Sequence, residues 1–224
     1  MIEFEDVGHS YDGRAVLDGV DLRLDERRVA FVGANGSGKS TLARMINGLV
    51  HPTRGRVLVD GVDPARDGRA VRRRVGFVFT HPDSQIVMPT AGEDVAFSLR
   101  RQGVPKAERQ RRAAEVLAEH GLAGYAEHPA HQLSGGQKQL LALCSMLVLE
   151  PDVLVCDEPT TLLDLRNKRH FAEVLSGLPQ QVVMVTHDLE LLADFDRVVV
   201  LDGGRVVADD APSAALAHYR ALVG

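Results

Sequence analysis

The sequence predicts an α/β fold with a mostly parallel central sheet, an antiparallel β layer at the N-terminus and an inserted α-helical subdomain. Three observations carry this. Residues 29–32 (Val-Ala-Phe-Val), 153–156 (Val-Leu-Val-Cys) and 182–185 (Val-Val-Met-Val) are continuous apolar runs. A strand that is apolar at every position is covered on both faces, as the interior strands of parallel sheets are. Residues 2–7 and 20–24 instead alternate apolar with polar side chains, the pattern of a half-exposed antiparallel layer. Residues about 90–150 are helical in pattern and separate one strand run from the next. At 224 residues the chain reads as one domain spanning 1–224, with no further C-terminal domain.

In chain order, Ile2 and Phe4 mark the first strand, and residues 9–13 read as a turn that contains Tyr11. Tyr11 is either a structural aromatic or a platform on which a purine ring stacks. After the run at 29–32 comes Gly33-Ala34-Asn35-Gly36-Ser37-Gly38, then Lys39-Ser40-Thr41 opening an amphipathic helix with Leu42, Met45, Ile46 and Leu49 on one face. This is G-x-x-x-x-G-K-S/T in the strand–loop–helix context that the motif requires. Its glycines let backbone N–H groups turn inward around a phosphate chain, and the helix N-terminus adds a positive dipole end. Lys39 reaches toward β- and γ-phosphates, and the Ser40 hydroxyl is a Mg²⁺ ligand in such loops.

Residues 57–59 and 75–79 are further strands, with Arg72-Arg73-Arg74 leading into the second. Residues 80–85 (Thr-His-Pro-Asp-Ser-Gln) break regular structure. Helices follow over 93–102 and 105–120, the latter opened by Pro105 and closed by Gly121. Arg100, Arg101, Arg109, Arg111 and Arg112 gather here, as a solvated face or one near anionic headgroups. Leu133-Ser134-Gly135-Gly136-Gln137 precedes an almost wholly apolar helix and forms a second anion-binding helix start. Asp157-Glu158 ends the run at 153–156, where open α/β sheets place their chemistry. Asp157 there suits Mg²⁺ held through water, and Glu158 suits activation of the water that attacks the γ-phosphate. His187 follows the run at 182–185, in reach of the same phosphate. A helix over 166–175, strands near 195–201 and 205–208, and a helix over 211–222 complete the chain.

Composition narrows the classes. A net charge of −5 argues against a surface built to grip nucleic acid. Cys144 and Cys156 both lie in apolar runs and read as buried thiols of a reducing compartment. The acidic N-terminus is no signal peptide, and no apolar run approaches the ~20 residues of a spanning helix. A soluble or peripheral cytoplasmic protein is expected.

Two phosphate cradles exceed what one nucleotide needs. The second makes sense if Ser134, Gly135 and Gly136 close on a nucleotide held by another copy, giving a head-to-tail pair with two ATP molecules at the interface. Together these motifs resemble the nucleotide-binding subunit of an ABC transporter, over almost the whole chain. The resemblance implies a P-loop NTPase core with the ABC ATPase fold, ATP and Mg²⁺ as ligands, and ATP hydrolysis coupled to transport. Gly33 to Thr41 match the Walker A motif, residues 153–158 match Walker B, and Glu158 matches the catalytic glutamate. Residues 133–137 are the LSGGQ signature acting across the dimer, Asp164 ends the D-loop, His187 matches the switch histidine, and Tyr11 the adenine-stacking aromatic.

Two positions depart from that pattern. Thr80 stands where the family places a Mg²⁺-contacting glutamine, with Gln85 five residues on; either is a candidate for the loop that couples to the membrane partner. Thr161-Leu162 replaces a pair of small residues in the D-loop. The segments 81–85 and Glu93-Asp94-Val95-Ala96-Phe97 further resemble the ATPases of energy-coupling-factor importers, in biotin or cobalt/nickel modules. That implies a second ATPase subunit, identical here, a transmembrane coupling protein, a small substrate-binding membrane protein, no nucleic acid, and a place on the cytoplasmic face of the membrane. A soluble ABC protein acting on DNA or ribosomes usually carries coiled-coil insertions, zinc modules or a second ATPase domain, and none is visible.

Overall fold

The computed structural model describes all residues, 1–224. Strands β1 (Ile2–Tyr11), β2 (Arg14–Leu24) and β4 (Arg54–Val59) form an antiparallel sheet in the order β2-β1-β4. Strands β3 (Arg28–Val32), β5 (Val75–Val78), β6 (Val153–Asp157), β7 (Gln181–Val185), β8 (Arg197–Asp202) and β9 (Arg205–Asp210) form a second sheet in the order β5-β6-β7-β3-β8-β9. Its pairs are parallel except β8 with β9. The apolar runs are therefore interior strands, and both faces of each are used. On β3, Val29 and Phe31 enter the core beneath the antiparallel sheet, whereas Ala30 and Val32 enter the opposite core. On β6, Val153 and Val155 divide from Leu154 and Cys156 in the same way.

Helix α1 (Lys39–Ile46) follows β3, and α2 (Gly68–Arg74) precedes β5. Between β5 and β6 lie α3 (Ala91–Ser98), α4 (Lys106–Glu119) and α5 (Gly135–Leu147); α6 (Leu165–Gly177) and α7 (Pro212–Val223) complete the set. None of these helices is long and apolar enough to cross a membrane.

Three local expectations change. Strand β1 continues through His9 and Ser10 to Tyr11, so the turn shrinks to Asp12-Gly13, both at positive φ (48° and 81°). An Asp-Gly pair with both residues left-handed closes a two-residue hairpin, and this keeps the flanking residues paired. Helix α2 adds a turn before the strand at 75. It buries only Val71, too little for apolar periodicity to betray it, and Asp67 caps it by accepting from the Ala70 amide at 2.9 Å. Helix α1 ends before Leu49, which is exposed.

Both cysteines are free and buried, and burial pushes the Cys144 thiol up to about 12. A disulfide reagent at pH 8 should therefore modify neither thiol in the native chain and both after denaturation, read by thiol titration.

Candidate active site

The glycine-rich loop joins the buried end of β3 to α1. Gly33 has φ 148°, and a Cβ there would lie 2.1 Å from the Leu201 carbonyl oxygen. Gly38, at φ 99°, would meet the Leu17 side chain at 2.5 Å. No side chain fits either place, so the loop backbone lies close under β8 and the β1–β2 hairpin. Lys39 bends back over the loop, its Nζ donating to the Gly33 and Ala34 carbonyls at 2.8 Å each. Burial lowers its pKa, and the Glu158 and Asp157 carboxylates offset part of that shift. Ser37 Oγ is buried without a hydrogen-bond partner. No acidic residue stands in the first turn of α1 to neutralise its dipole. A cradle of this kind, with an ammonium over it, suits a polyphosphate.

The facing wall comes from strand ends. Asp157, 1% exposed at the end of β6, accepts from Ser40 Oγ at 2.6 Å through Oδ1. Thr80 Oγ1 donates to the Asp157 carbonyl at 2.7 Å. Glu158 is left-handed (φ 52°) and its amide donates to the Val185 carbonyl at 2.9 Å, so the sheet continues while the side chain turns aside. Such a conformation in a non-glycine residue costs about 1–3 kcal/mol and concentrates at working sites. Its Oε2 lies 2.6 Å from His187 Nδ1 and accepts from Thr161 Oγ1 at 3.1 Å. One open cleft of about 1020 Å³ gathers Tyr11, Lys39, Ser40, Thr80, Glu158 and His187. Tyr11, 47% exposed, borders it with its ring held edge-on by His9 at a 4.4 Å centroid separation.

The segment 133–137 does not line this cleft. Ser134 instead caps α5 in a reciprocal box, accepting from the Gln137 amide at 3.3 Å while Gln137 Oε1 accepts from the Ser134 amide at 2.9 Å. A Cβ at Gly136 would strike Asn167 at 2.5 Å, so this helix start is packed against the start of α6. Asp164 caps α6 by accepting from the Asn167 amide at 2.8 Å, beside the exposed Leu162 and Leu165. Gln85 also lies outside the cleft. Its side chain accepts from the Phe79 amide and donates to the Ala142 carbonyl, both at 3.3 Å.

The family model described as ABC transporter matches residues 17–161. The chain belongs to the ABC transporter family. It is 53% identical to a putative ABC transporter ATP-binding protein of Deinococcus radiodurans, over 98% of this chain and 97% of that one. It is 45% identical to the biotin transport ATP-binding protein BioM of Rhizobium etli, over 99% and 98%. Among solved structures it resembles cbiO1 of Clostridium perfringens, part of the ABC transporter complex cbiONQ, with a TM-score of 0.87 and 31% identity over 99% and 92%. It is an ATPase of this family, in which ATP hydrolysis drives transport.

The structure of this ABC ATPase adds residues that sequence reasoning did not single out. Arg44 grips the second oxygen of Asp157, with Nε at 3.1 Å and a terminal nitrogen at 2.9 Å. In the sequence Arg44 is one more base in the last turn of a helix, where bases are common. Arg44→Ala leaves a buried carboxylate without its cation. It should destabilise the ABC ATPase by about 1–3 kcal/mol, measured by urea unfolding. Behind the cleft, Asp188 accepts from Thr160 Oγ1 at 2.7 Å and Lys168 Nζ at 2.8 Å. Burial raises the Asp188 pKa, but these two bonds outweigh it and leave the carboxyl below its ordinary range.

Proposed function

We propose that the chain is the ATP-hydrolysing subunit of a membrane importer of the energy-coupling-factor type, on the cytoplasmic face of the membrane, with biotin as cargo. The observation that carries this is one cleft joining the loop 33–41, the Asp157-Glu158 strand end and His187, in a chain alike to a biotin transport ATP-binding protein over nearly its full length. The assignment of roles is ours. Tyr11 stacks the adenine; Ala34, Asn35, Gly36, Ser37, Gly38 and Lys39 hold phosphates through amides and the ammonium, with Thr41 beside them. Hard oxygen donors on Ser40 and Asp157 fit Mg²⁺, and the unpartnered Ser37 Oγ fits a phosphate acceptor. Bound there, Mg²⁺ would neutralise charge developing on the transferred phosphoryl group. Glu158 takes the proton of the attacking water, and His187 orients Glu158 through their 2.6 Å contact. The protein contributes positioning and electrostatics rather than covalent chemistry.

The segment from Leu133 to Gln137 then serves a nucleotide held by a second copy, in a head-to-tail homodimer. ATP closes the dimer and hydrolysis reopens it. The membrane partner's coupling helices sit in the groove between α3 and α5, beside the exposed Val87 and Phe97 (64% and 42%). The chain is a single ABC ATPase domain, with residues 90–150 as its helical subdomain.

Affinity purification of the tagged chain from detergent-solubilised membranes, with mass spectrometry and binding of labelled biotin, tests this. Recovery with a transmembrane coupling protein and a biotin-binding membrane protein is expected. Recovery with a conventional permease pair would discard the importer type. A 41% identity to a cobalt import ATP-binding protein favours a second reading, a cobalt or nickel module, which metal carried by the recovered complex would identify.

A further inference from the structure

The loop 79–88 leaves the cleft at Thr80 and then runs along α5. Four contacts tie the two. Gln139 Nε2 donates to the Phe79 carbonyl at 3.1 Å, and Lys138 Nζ to Asp83 at 2.7 Å. Gln85 Nε2 donates to the Ala142 carbonyl at 3.3 Å. The fourth contact is indirect and buried. Asp94 of α3, 3% exposed, accepts from the Val87 and Met88 amides at 2.8 and 3.0 Å through Oδ1, and from Ser145 Oγ at 3.0 Å through Oδ2. Residues 138, 142 and 145 fall at i, i+4 and i+7, so these ties follow one face of α5.

No cation bonds to Asp94. A buried carboxylate is held only where donors replace its water, and here three do so from two separate segments. The loop end is thus fixed to the C-terminal half of a helix whose N-terminus is the Ser134–Gln137 turn. Because interiors are close-packed, a displacement of the loop passes along the helix instead of dissipating.

We propose that Asp94 is a positioning residue that makes the loop 79–88 and α5 one mechanical unit, so that events at Thr80 move the 133–137 turn. On this view Gln85 is engaged inside the strap, and the link to the cleft runs through Thr80 and the Asp157 carbonyl. The inference rests on the nucleotide reading of the cleft but not on the membrane partner or cargo.

The test is amide hydrogen exchange on the full chain, held dilute enough to stay monomeric by size-exclusion chromatography so that no partner's nucleotide covers 133–137, with and without Mg-ATP, alongside binding of a fluorescent ATP analogue. In the unmodified chain, peptides covering 79–88 and 133–137 should respond to nucleotide together. In Asp94→Ala and Ser145→Ala, the 79–88 response should persist and the 133–137 response should fall at least threefold. Nucleotide affinity should stay within twofold of the unmodified chain, since neither residue lines the cleft. Asp94→Asn retains an acceptor oxygen for the two amides and offers N–H to Ser145, so it should restore the response. An undiminished 133–137 response in Ser145→Ala, a single-hydroxyl deletion expected to fold, overturns the proposal. So does Asp94→Asn behaving like Asp94→Ala. If the unmodified chain binds nucleotide yet 133–137 never responds, the coupling fails and the cleft reading stands. If it binds no nucleotide, both fall.

Discussion

Glu158→Gln should lower ATP turnover by roughly 10²–10⁴-fold, the usual share of a general base, with little change in ATP affinity. Glutamine keeps the size of the side chain and an oxygen for Thr161, but its amide cannot accept the proton of the attacking water. The left-handed backbone at Glu158 is fixed by the hydrogen bond that its amide donates to the Val185 carbonyl, so the substitution does not move the strand end. Binding groups on the loop 33–41 stay in place. ATP then binds, hydrolysis stalls, and the closed form accumulates. Size-exclusion chromatography should show the variant as a monomer without nucleotide and a dimer with Mg-ATP. A variant that hydrolyses ATP at the original rate removes Glu158 from the chemistry. One that loses hydrolysis but stays monomeric with ATP removes the head-to-tail arrangement.

What the sequence disclosed, and what it did not, divides by range. The loop 33–38 was legible because its backbone course forbids side chains. Gly33 and Gly38 sit where a Cβ would collide with β8 or with Leu17, so the glycine spacing records the geometry directly. The strand runs were legible because a doubly covered strand must be apolar throughout. Asp157, Glu158 and His187 followed, since they stand at the ends of those strands. Contacts between distant segments left no such trace. Arg44 meets Asp157 across 113 residues and Ser145 meets Asp94 across 51, and a lone arginine or serine in a helix looks the same whether or not it has a partner. Gln85 shows the same limit from the other side. A glutamine near the expected place was one of two candidates, with Thr80, for the loop that couples to a membrane partner, but its sequence position did not disclose that its side chain closes the turn that follows Phe79 and bonds to α5. Loop chemistry was readable in kind but not in direction, because the direction is set by α5.

The head-to-tail arrangement predicts a complementation that no other use of residues 133–137 allows. Lys39→Ala removes the ammonium over the phosphate cradle, and Ser134→Arg places a bulky cation at the exposed start of α5. Each variant alone should lose more than about 90% of ATPase activity, since two effects of ~1.4 kcal/mol or more are each tenfold in rate. Suppose instead that the two are mixed and allowed to exchange partners. A mixed dimer then pairs the intact loop of the Ser134→Arg chain with the intact 133–137 turn of the Lys39→Ala chain, while both lesions fall into the other site. Random pairing makes about half of the dimers mixed, each with one sound site of two, so recovery to about a quarter of the original activity is expected for independent sites. Recovery confined to the mixture is the signature of a site shared between chains, and it should scale with the fraction of mixed dimer as the ratio is varied. If the sum of the separate activities is all that the mixture shows, over a range of ratios and with subunit exchange verified by differently tagged chains, then residues 133–137 act within their own chain or not at all. The outcome also bears on the packed Gly136. If the turn must meet a partner's nucleotide, Gly136→Ala, whose Cβ would press on Asn167 at 2.5 Å, should fail in the same half of the assay as Ser134→Arg and be rescued by the same partner.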